Sequence, residues 1–240
     1  MIKLKSDISV IIPCFNCAAT IKRAIKSVLS QTLKPLEILV CDDGSTDNTH
    51  AVVNSIRSPL VKWLNAKKHT GKPAVPRNKG LKKAAGKWLA FLDADDEWLP
   101  GKLEKQIAAA KKTRCLAVCS NAYRKINNKK QNKLYFNFPT KIFNLVNLLI
   151  TNYVICSSMV IHRSLLKKTI GFSENNELIS IEDYAFWLRI AAQTTIYYLD
   201  APLVIYNDQF KTSIRSKVNK NPILLKMQVL KNFYEYLTHR

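Results

Sequence analysis

The acidic residues of this sequence are few, and many of them fall in three short stretches. The chain has 240 residues, of which 38 are Lys or Arg and 17 are Asp or Glu, so its formal net charge is +21. The three acidic groups are Asp42, Asp43 and Asp47, then Asp93, Asp95, Asp96 and Glu97, and finally Glu182 and Asp183. Carboxylates grouped in a basic chain are typical of a site that holds a cation or moves a proton. The alternative for single members such as Asp47 or Glu97 is a helix cap or a turn.

The second group has the spacing of a metal site. Asp93 and Asp95 are two residues apart directly after the apolar run Trp88–Leu92. In extended backbone, side chains at this spacing leave on the same face. Their hard oxygens favour Mg²⁺ or Mn²⁺, which binds one or two carboxylates and completes its shell with substrate phosphates. Arg77, shortly before this run, either binds phosphate through two hydrogen bonds or stays solvated on the surface.

Alternating apolar strands and amphipathic helices must position these groups. Such alternation with short loops predicts an α/β fold, in which a mostly parallel sheet is covered by helices on both faces. The predicted strands are Ile8–Pro13, Glu37–Cys41, Val61–Leu64 and Trp88–Leu92, and the predicted helices are Ala18–Ser30, Asn48–Ile56, Asn78–Ala85 and Leu103–Lys112. Ligands bind at the carboxyl ends of parallel strands, and the Asp42 and Asp93 groups each come directly after a strand. We therefore expect them at one edge of the sheet.

The second half of the sequence has a less regular pattern. We predict extended segments at Leu116–Cys119, Val154–Ile161, Tyr197–Leu199 and Leu203–Tyr206, helices at Phe143–Thr151, Ile181–Ala192 and Pro222–Arg240, and a hairpin turn or surface loop at Asn127–Lys133. The last helix has an apolar side and a side rich in lysine.

Several classes of protein are excluded by missing motifs. There is no phosphate-binding G-x-x-x-x-G-K-[ST] loop, no G-x-G-x-x-G fingerprint, no zincin motif and no G-x-S-x-G elbow. Cys14 and Cys17 have a zinc-like spacing, but no second pair matches it, so the six cysteines are expected to be reduced. No stretch reaches the roughly 20 apolar residues of a membrane span. No cleavage site comes after the short N-terminal apolar run, so we expect a cytoplasmic protein.

Three stretches together carry a resemblance to a known family. ISVIIPCFNCAATIKRAIKSVLSQTLKPLEILVCDDGSTDNT resembles the opening of the family 2 glycosyltransferases, and RNKGLKKAAGKWLAFLDADDEWLPGKLEKQ resembles their central metal-binding segment. GFSE followed by IEDYAFWLRIA is similar to their acceptor-side segment. The likeness runs from about Ile8 to about Tyr206, with the motifs in the expected order.

The resemblance implies a GT-A-type fold and an inverting sugar transfer from a nucleotide diphosphate sugar. The expected organisation is a nucleotide-sugar-binding α/β half at 1–120, an acceptor-binding and catalytic-base half at 121–215, and a C-terminal amphipathic helix at 216–240, all in one structural domain. The expected donor is a UDP-sugar. The expected acceptor is a glycan or lipid-linked molecule of cell-envelope polysaccharide or lipopolysaccharide synthesis.

The resemblance also assigns roles to residues. Pro13, Phe15 and Asn16 would line the nucleoside pocket, with Phe15 against the base. Asp43 would accept a hydrogen bond from the base, with Asp42 beside it and Arg77 near the nucleotide. Asp93 and Asp95 would serve the ribose and a Mg²⁺ or Mn²⁺ ion, and Asp96 would lie close to the donor sugar or the metal. Asp183 would be the general base, and its alternative is a cap of the helix that starts there.

Four further residues are secondary candidates for the site. Glu182 and Trp187 accompany Asp183 in the acceptor-side segment. After Tyr206 the sequence departs from the family pattern, in which Arg and a His- or Ser-rich piece commonly lie near the leaving phosphates. Lys211 or Arg215 would replace that contact.

Three further hypotheses remain, and the net charge motivates the first and the third. A basic chain suits the anionic cytoplasmic face of an inner membrane, where the lysine side of the last helix would make peripheral contact; alternatively, this helix packs on its own domain. A sugar nucleotidyltransferase would share the metal and the nucleotide. A nucleic-acid-binding module is the third hypothesis, but tryptophans here accompany acids or apolar faces, so we expect no nucleic-acid partner.

Overall fold

The first four strands form a parallel sheet in a computed structural model that describes residues 6–66, 68–127, 129–209 and 221–238. The strands are β1 (Ile8–Cys14), β2 (Glu37–Asp42), β3 (Val61–Leu64) and β4 (Trp88–Phe91). Their order in space is β3-β2-β1-β4, and all three pairings are parallel. The predicted strands are therefore confirmed in this half, with ends that differ by one residue at most.

Helices cover both faces of this sheet. They are α1 (Ile21–Leu29), α2 (Thr49–Asn54), α3 (Ala74–Lys83) and α4 (Lys102–Thr113). Successive side chains of β1 enter opposite cores, because a strand alternates its faces. Val10 and Ile12 pack in one core with Ile25 of α1, whereas Ile11 packs in the other with Leu81 of α3.

The second half extends the same sheet, mainly with antiparallel strands. Its elements are β5 (Glu97–Trp98), β6 (Ala117–Ile126), β7 (Lys129–Leu134), β8 (Lys141–Phe143), α5 (Leu145–Ile150), β9 (Val160–His162), α6 (Glu182–Ala191), β10 (Ile196–Asn207) and α7 (Pro222–Thr238). β9 lies between β4 and β6 and is antiparallel to both, so one sheet runs through both halves. The predicted fold class, an α/β sheet flanked by helices with a less regular second half, is confirmed.

Several elements differ from the sequence prediction. β6 runs seven residues past the predicted end at Cys119, and the strand β7 occupies most of the segment 127–133, for which the sequence predicts a hairpin turn or surface loop. α3 begins at Ala74, four residues early, because Pro76 lies in its first turn, where a proline has no hydrogen bond to lose. In the segment predicted as extended at Val154–Ile161, Cys156–Ser158 forms a 3-10 turn and the strand begins at Val160. The two predicted strands near the end are one strand, β10, whose pairing with β6 shifts register around Pro202.

α3 approaches the sheet closely at a glycine. A Cβ atom on Gly80 would lie 2.6 Å from Cγ2 of Ile11 and 2.9 Å from Sγ of Cys41. The missing side chain lets α3 lie against β1 and β2, and this position sets where Arg77, one turn earlier on the same helix, meets the sheet. Within the described ranges, no helix is long and apolar enough to cross a membrane.

Candidate active site

The carboxyl ends of β2, β1 and β4 meet at one edge of the sheet. Cys14 at the end of β1 pairs with Asp42 at the end of β2, and Ile11 of β1 pairs with Phe91 of β4. The residues that come after each strand are therefore neighbours at this edge, as parallel strands require. The edge carries the first two acidic groups predicted from the sequence.

The second acidic group folds into a tight turn after β4. The backbone N–H of Asp96 donates to the carbonyl of Asp93 at 3.1 Å, which closes the turn. The N–H of Asp93 donates to Oγ of Ser157 at 2.9 Å. Asn207, at the end of β10, holds the other two acids: its backbone N–H donates to Oδ1 of Asp96 at 2.7 Å and its side chain to Oδ2 of Asp95 at 3.0 Å.

These three carboxylates lie close together, with Asp96 buried and Asp93 and Asp95 partly exposed. Burial raises the pKa of the Asp95 carboxyl, and the charge of Asp93 raises it further. Burial also raises the pKa of Asp96 well above its ordinary range, with Asp95 the next cause. Oδ2 of Asp96 is buried and has no hydrogen-bond partner among the described residues. Burial and mutual repulsion disfavour the charged form of these carboxylates. Binding of a cation or a proton relieves that repulsion.

Arg77 of α3 joins the second acidic group to the third. One terminal nitrogen of its guanidinium lies 2.7 Å from Oδ1 of Asp93, and the other lies 2.5 Å from Oε1 of Glu182. The Arg77 side chain is 7% exposed and that of Glu182 is 6% exposed, so this is a buried bridge. The Arg77 guanidinium also lies 5.4 Å from the ring centre of Phe172. With both terminal nitrogens on carboxylates, Arg77 acts here as a structural cation, and its predicted contact with the nucleotide stays a prediction.

Asp183 comes next to Glu182 in the first turn of α6. Its Oδ1 accepts the backbone N–H of Tyr184 at 2.7 Å, and its side chain stays partly accessible. Burial, followed by the charge of Glu182, raises the pKa of Asp183 from its ordinary value of 3.8 to about 7, and Arg77 opposes this rise. A carboxylate that titrates near neutral pH suits a general base. Arg77 thus brings the second and third acidic groups together.

The first acidic group shapes two loops at the same edge. Asp42 accepts the N–H groups of Gly44 and Ser45 and the hydroxyl of Ser45, so it fixes the turn after β2. Asp43 accepts the backbone N–H groups of Thr70 and Gly71 and the Thr70 hydroxyl. Both carboxylates are buried and hydrogen-bonded within the protein. Their predicted contacts with a nucleotide stay predictions.

A pair of aromatic rings lies beside Asp43. Phe15 is 40% exposed, and its ring stacks on His69 with ring centres 3.7 Å apart and an angle of 16°. Nδ1 of His69 lies 2.9 Å from Oδ2 of Asp43. Asn16, next to Phe15, accepts the N–H of Thr46 at 2.8 Å. Pro13 lies near the end of β1 on the same segment of the chain. The predicted contacts of Pro13, Phe15 and Asn16 with a nucleoside stay predictions.

Sequence reasoning missed three residues of this site. His69 and Ser157 come from loops and carry no motif, so their contacts depend on tertiary structure alone. Asn207 could have been predicted from the sequence, because it is a polar residue directly after a predicted strand. Trp98 belongs to the same support, since its indole N–H donates to the carbonyl of Ser157 at 2.8 Å.

The secondary candidates separate into three cases. Glu182 is in the bridge described above. Trp187 is fully buried in the core, where it packs against Phe91 and Phe172 and anchors α6 to the sheet. The prediction that it contacts the site is therefore wrong. The predicted contacts of Lys211 and Arg215 lie outside the described residues.

Comparison with known proteins identifies the relatives of this chain. The sequence model of Glycosyl transferase family 2 matches residues 9–170. UDP-Glc:alpha-D-GlcNAc-diphosphoundecaprenol beta-1,3-glucosyltransferase WfgD of Escherichia coli is 35% identical over 231 residues, which are 95% of this chain and 87% of the relative. WfaP of Escherichia coli, a glucosyltransferase of the same description, is 35% identical over 186 residues, or 78% of this chain and 70% of the relative.

The fold also matches solved structures. The crystal structure of S. aureus TarS 1–349 in complex with UDP-GlcNAc superimposes with a TM-score of 0.76 at 24% sequence identity. The match covers 96% of this chain and 64% of that chain. At this identity, the likeness shows the fold, which is the GT-A fold.

The buried Arg77 bridge makes a prediction about stability. Arg77→Met leaves Asp93 and Glu182 without their cation in a buried site, so we expect the free energy of unfolding to fall by about 3–5 kcal/mol. Urea unfolding followed by tryptophan fluorescence measures this loss. Adding Glu182→Gln removes one of the unpaired charges, so the double variant is expected to recover part of the lost stability.

Lys79→Met serves as the matched control, because it removes a cation from the same helix at a more exposed position. A loss below about 1 kcal/mol in Arg77→Met, the ordinary range for an exposed ion pair, would contradict a structural role for the bridge.

Proposed function

Because the chain belongs to glycosyl transferase family 2, we propose that it moves a sugar from a UDP-sugar to a hydroxyl group of a lipid-linked glycan, with inversion at the anomeric carbon. That it is a glycosyltransferase follows from the family and its relatives. The names of the two Escherichia coli relatives include a UDP-Glc donor and a diphosphoundecaprenol acceptor, and they support the donor class and the acceptor class proposed for this chain. The product would belong to a bacterial envelope polysaccharide, of which lipopolysaccharide is one kind.

One observation carries the proposal: the Arg77 bridge holds the helix turn of Asp183 beside the acidic turn that would receive the donor phosphates, and burial raises the pKa of Asp183 to about 7. Asp183 and Asp93 are linked through Glu182 and Arg77, although 90 residues separate them along the chain. An inverting transfer needs these two groups in one cleft. The base must face the acceptor hydroxyl while the diphosphate leaves from the other side of the sugar.

A divalent metal ion, Mg²⁺ or Mn²⁺, is part of the proposal. No group of three His, Cys, Asp or Glu residues in the described parts of the chain is arranged to hold a metal alone. Mg²⁺ and Mn²⁺ sites of nucleotide enzymes need only one or two carboxylates, because substrate phosphates complete the shell. Asp93 and Asp95 would hold the ion, and the unpartnered Oδ2 of Asp96 fits a cation beside it. When bound, the ion neutralises charge on the leaving diphosphate.

The residues of the chain divide the remaining work. Phe15, Asn16 and Asp43 would bind the nucleoside at the β1–β2 edge. Asp183 takes the proton of the acceptor hydroxyl as that oxygen forms a bond to the anomeric carbon. The bond from the anomeric carbon to the diphosphate breaks at the same time, and the diphosphate keeps the electron pair. Arg77 fixes the position of Glu182 next to the base.

The proposed location follows from the acceptor. A lipid-linked acceptor brings the reaction to a membrane surface, and a nucleotide-sugar donor is a cytoplasmic metabolite class. We therefore place the enzyme in the cytoplasm, in peripheral contact with the inner membrane.

A donor screen tests the reaction. The protein is incubated with Mn²⁺, undecaprenyl diphosphate-linked GlcNAc and a panel of nucleotide sugars, and the release of nucleotide diphosphate is measured. We expect release with a UDP-sugar and none after chelation of the metal. Asp183→Asn is expected to reduce the rate by about 10²–10⁴-fold because it removes the general base. Asp95→Asn is expected to abolish transfer because it removes a proposed metal ligand.

Glu104→Gln is the control, since this carboxylate on α4 makes an exposed contact with Thr32, away from the acidic turn. Full activity in both Asp variants, or activity that persists after chelation, would show that the roles are assigned wrongly.

The raised pKa of Asp183 predicts the pH dependence of the rate. The base acts when it is deprotonated, so kcat/KM should rise about tenfold per pH unit below pH 7 and level off above it. Glu182→Gln removes a charge that raises this pKa, so the midpoint of the profile should move to lower pH. Initial rates from pH 5 to 9 provide the test.

The same shift has a consequence for folding. The folded protein holds a proton on Asp183 that the unfolded chain has lost above pH 4, so this carboxyl destabilises the fold as the pH rises towards 7. Asp183→Asn should therefore unfold at an equal or higher urea concentration at pH 8. A loss of activity in this variant would then reflect the missing base and not a loss of structure.

Two results of the pH–rate experiment would rule out Asp183 as the titrating base. One is a rate that does not change with pH, and the other is a midpoint that stays the same in Glu182→Gln.

A further inference from the structure

Helix α7 leaves an apolar stripe uncovered. It packs on the protein through Val229 and Phe233, which are buried. A second set of apolar residues on the same helix is exposed, namely Ile223 at 68%, Met227 at 59%, Tyr234 at 66% and Leu237 at 46%. These residues, with the partly buried Leu230, are alternately four and three positions apart, so they form one line along the helix.

Helix α5 continues this stripe. Val146 and Ile150 of α5 are exposed at 62% and 60%. The ammonium group of Lys226 on α7 donates to the carbonyl of Ile150 at 2.8 Å, which joins the end of α5 to α7. The exposed residues of both helices make up the α5–α7 apolar surface. Exposed apolar residues grouped on neighbouring helices mark a candidate site of interaction with a partner or a membrane.

The surroundings of this surface are basic. At about 100° per residue, Lys226 and Lys231 fall on the two flanks of the α7 stripe. Glu235 is the only acidic residue of α7, and the sequence has no Asp or Glu between Glu104 and Glu174, a region that includes α5. An apolar stripe flanked by lysines is the pattern of a helix that lies in a membrane interface, because lysines extend to the headgroups while the apolar residues enter the acyl boundary.

We propose that the α5–α7 apolar surface docks on a lipid bilayer that contains anionic lipids; this inference rests on the proposed lipid-linked acceptor. Charge complementarity favours the bilayer, since the whole chain carries a net charge of +21. The apolar stripe enters the membrane and the lysines border it, whereas the sequence pattern leaves open contact through the lysine side of this helix or packing of the helix on its own domain.

Docking through this surface would place the active site next to the membrane. The hydroxyl group of Tyr184 donates to the carbonyl of Leu148 on α5 at 2.5 Å. Tyr184 is the residue directly after Asp183, so α5 is attached to the helix turn that carries the proposed base. A lipid-linked acceptor whose lipid stays in the bilayer would then present its sugar on the Asp183 side of the cleft.

Vesicle flotation of the full chain tests the docking without any substrate. The vesicles contain phosphatidylglycerol and phosphatidylcholine in one arm and phosphatidylcholine alone in the other, at constant ionic strength. The wild-type protein is expected to float with the anionic vesicles and much less with the neutral ones. Met227→Glu should lower the partition coefficient about tenfold or more, because it removes an exposed apolar side chain that would enter the membrane and adds a negative charge.

Ile170→Glu is the matched control. Ile170 is 79% exposed and lies near Glu235 and Tyr236, on a side of α7 away from the apolar stripe. The variant therefore makes the same change of charge outside the α5–α7 apolar surface. It should float like the wild-type protein. Neither residue belongs to the proposed active site, so both variants should keep the wild-type rate with a soluble acceptor.

Three results would overturn the inference. The wild-type protein does not float with anionic vesicles, Met227→Glu floats as well as the wild type, or Met227→Glu and Ile170→Glu lose flotation equally. A second copy of the chain would be the true occupant if Met227→Glu converted a dimer to a monomer in size-exclusion chromatography and left flotation unchanged. Selective loss of flotation in Met227→Glu supports docking even if the donor screen shows no transfer to a lipid-linked acceptor. The flotation experiment therefore tests the docking, and the donor screen tests the proposed function.

Discussion

The site depends on one buried cation. Arg77 lies between two carboxylates that are far apart in the sequence, Asp93 after β4 and Glu182 at the start of α6. Without it, these acids would repel each other in a region of low dielectric constant, and the first turn of α6 would lose its anchor at the sheet edge. The guanidinium satisfies both with its fixed fork, which an ammonium group could not do in the same geometry. The cation therefore sets the position of Asp183.

The remaining acids are held together at a cost in stability. Burial and mutual repulsion raise the pKa values of Asp95, Asp96 and Asp183, so each of them opposes folding when it is charged. Groups kept in unfavourable charge states are typical of catalytic sites. The rigid frame around them offsets this cost through two large apolar cores and through the contacts of Asn207 and Ser157. Part of the protein's stability is thus given up to keep these carboxylates together at one edge of the sheet.

Features that arise from local pattern are the ones that the sequence predicts well. The four parallel strands and the placement of Asp43 and Asp93 at their carboxyl ends come from apolar runs that end in turn residues. Contacts made across the fold carry no local signal, so neither the stacking of His69 on Phe15 nor the engagement of Arg77 with two acids could be predicted. Trp187 shows the opposite kind of error: its motif predicts a site residue, but it is buried in the apolar core. On α7 the pattern predicts one apolar side, whereas the structure has a second, exposed one, since periodicity does not tell which apolar residues pack.

A crystal structure of the Asp183→Asn variant with a UDP-sugar and Mn²⁺ tests the central claim most directly, because this variant should bind the donor without turning it over. We expect the uridine beside Phe15, the diphosphate and the ion at Asp93 and Asp95, and residue 183 facing the anomeric carbon from the side opposite the diphosphate, with the Arg77 bridge intact. A donor bound at another surface, or a residue 183 that is separated from the sugar by protein, would contradict the proposed mechanism.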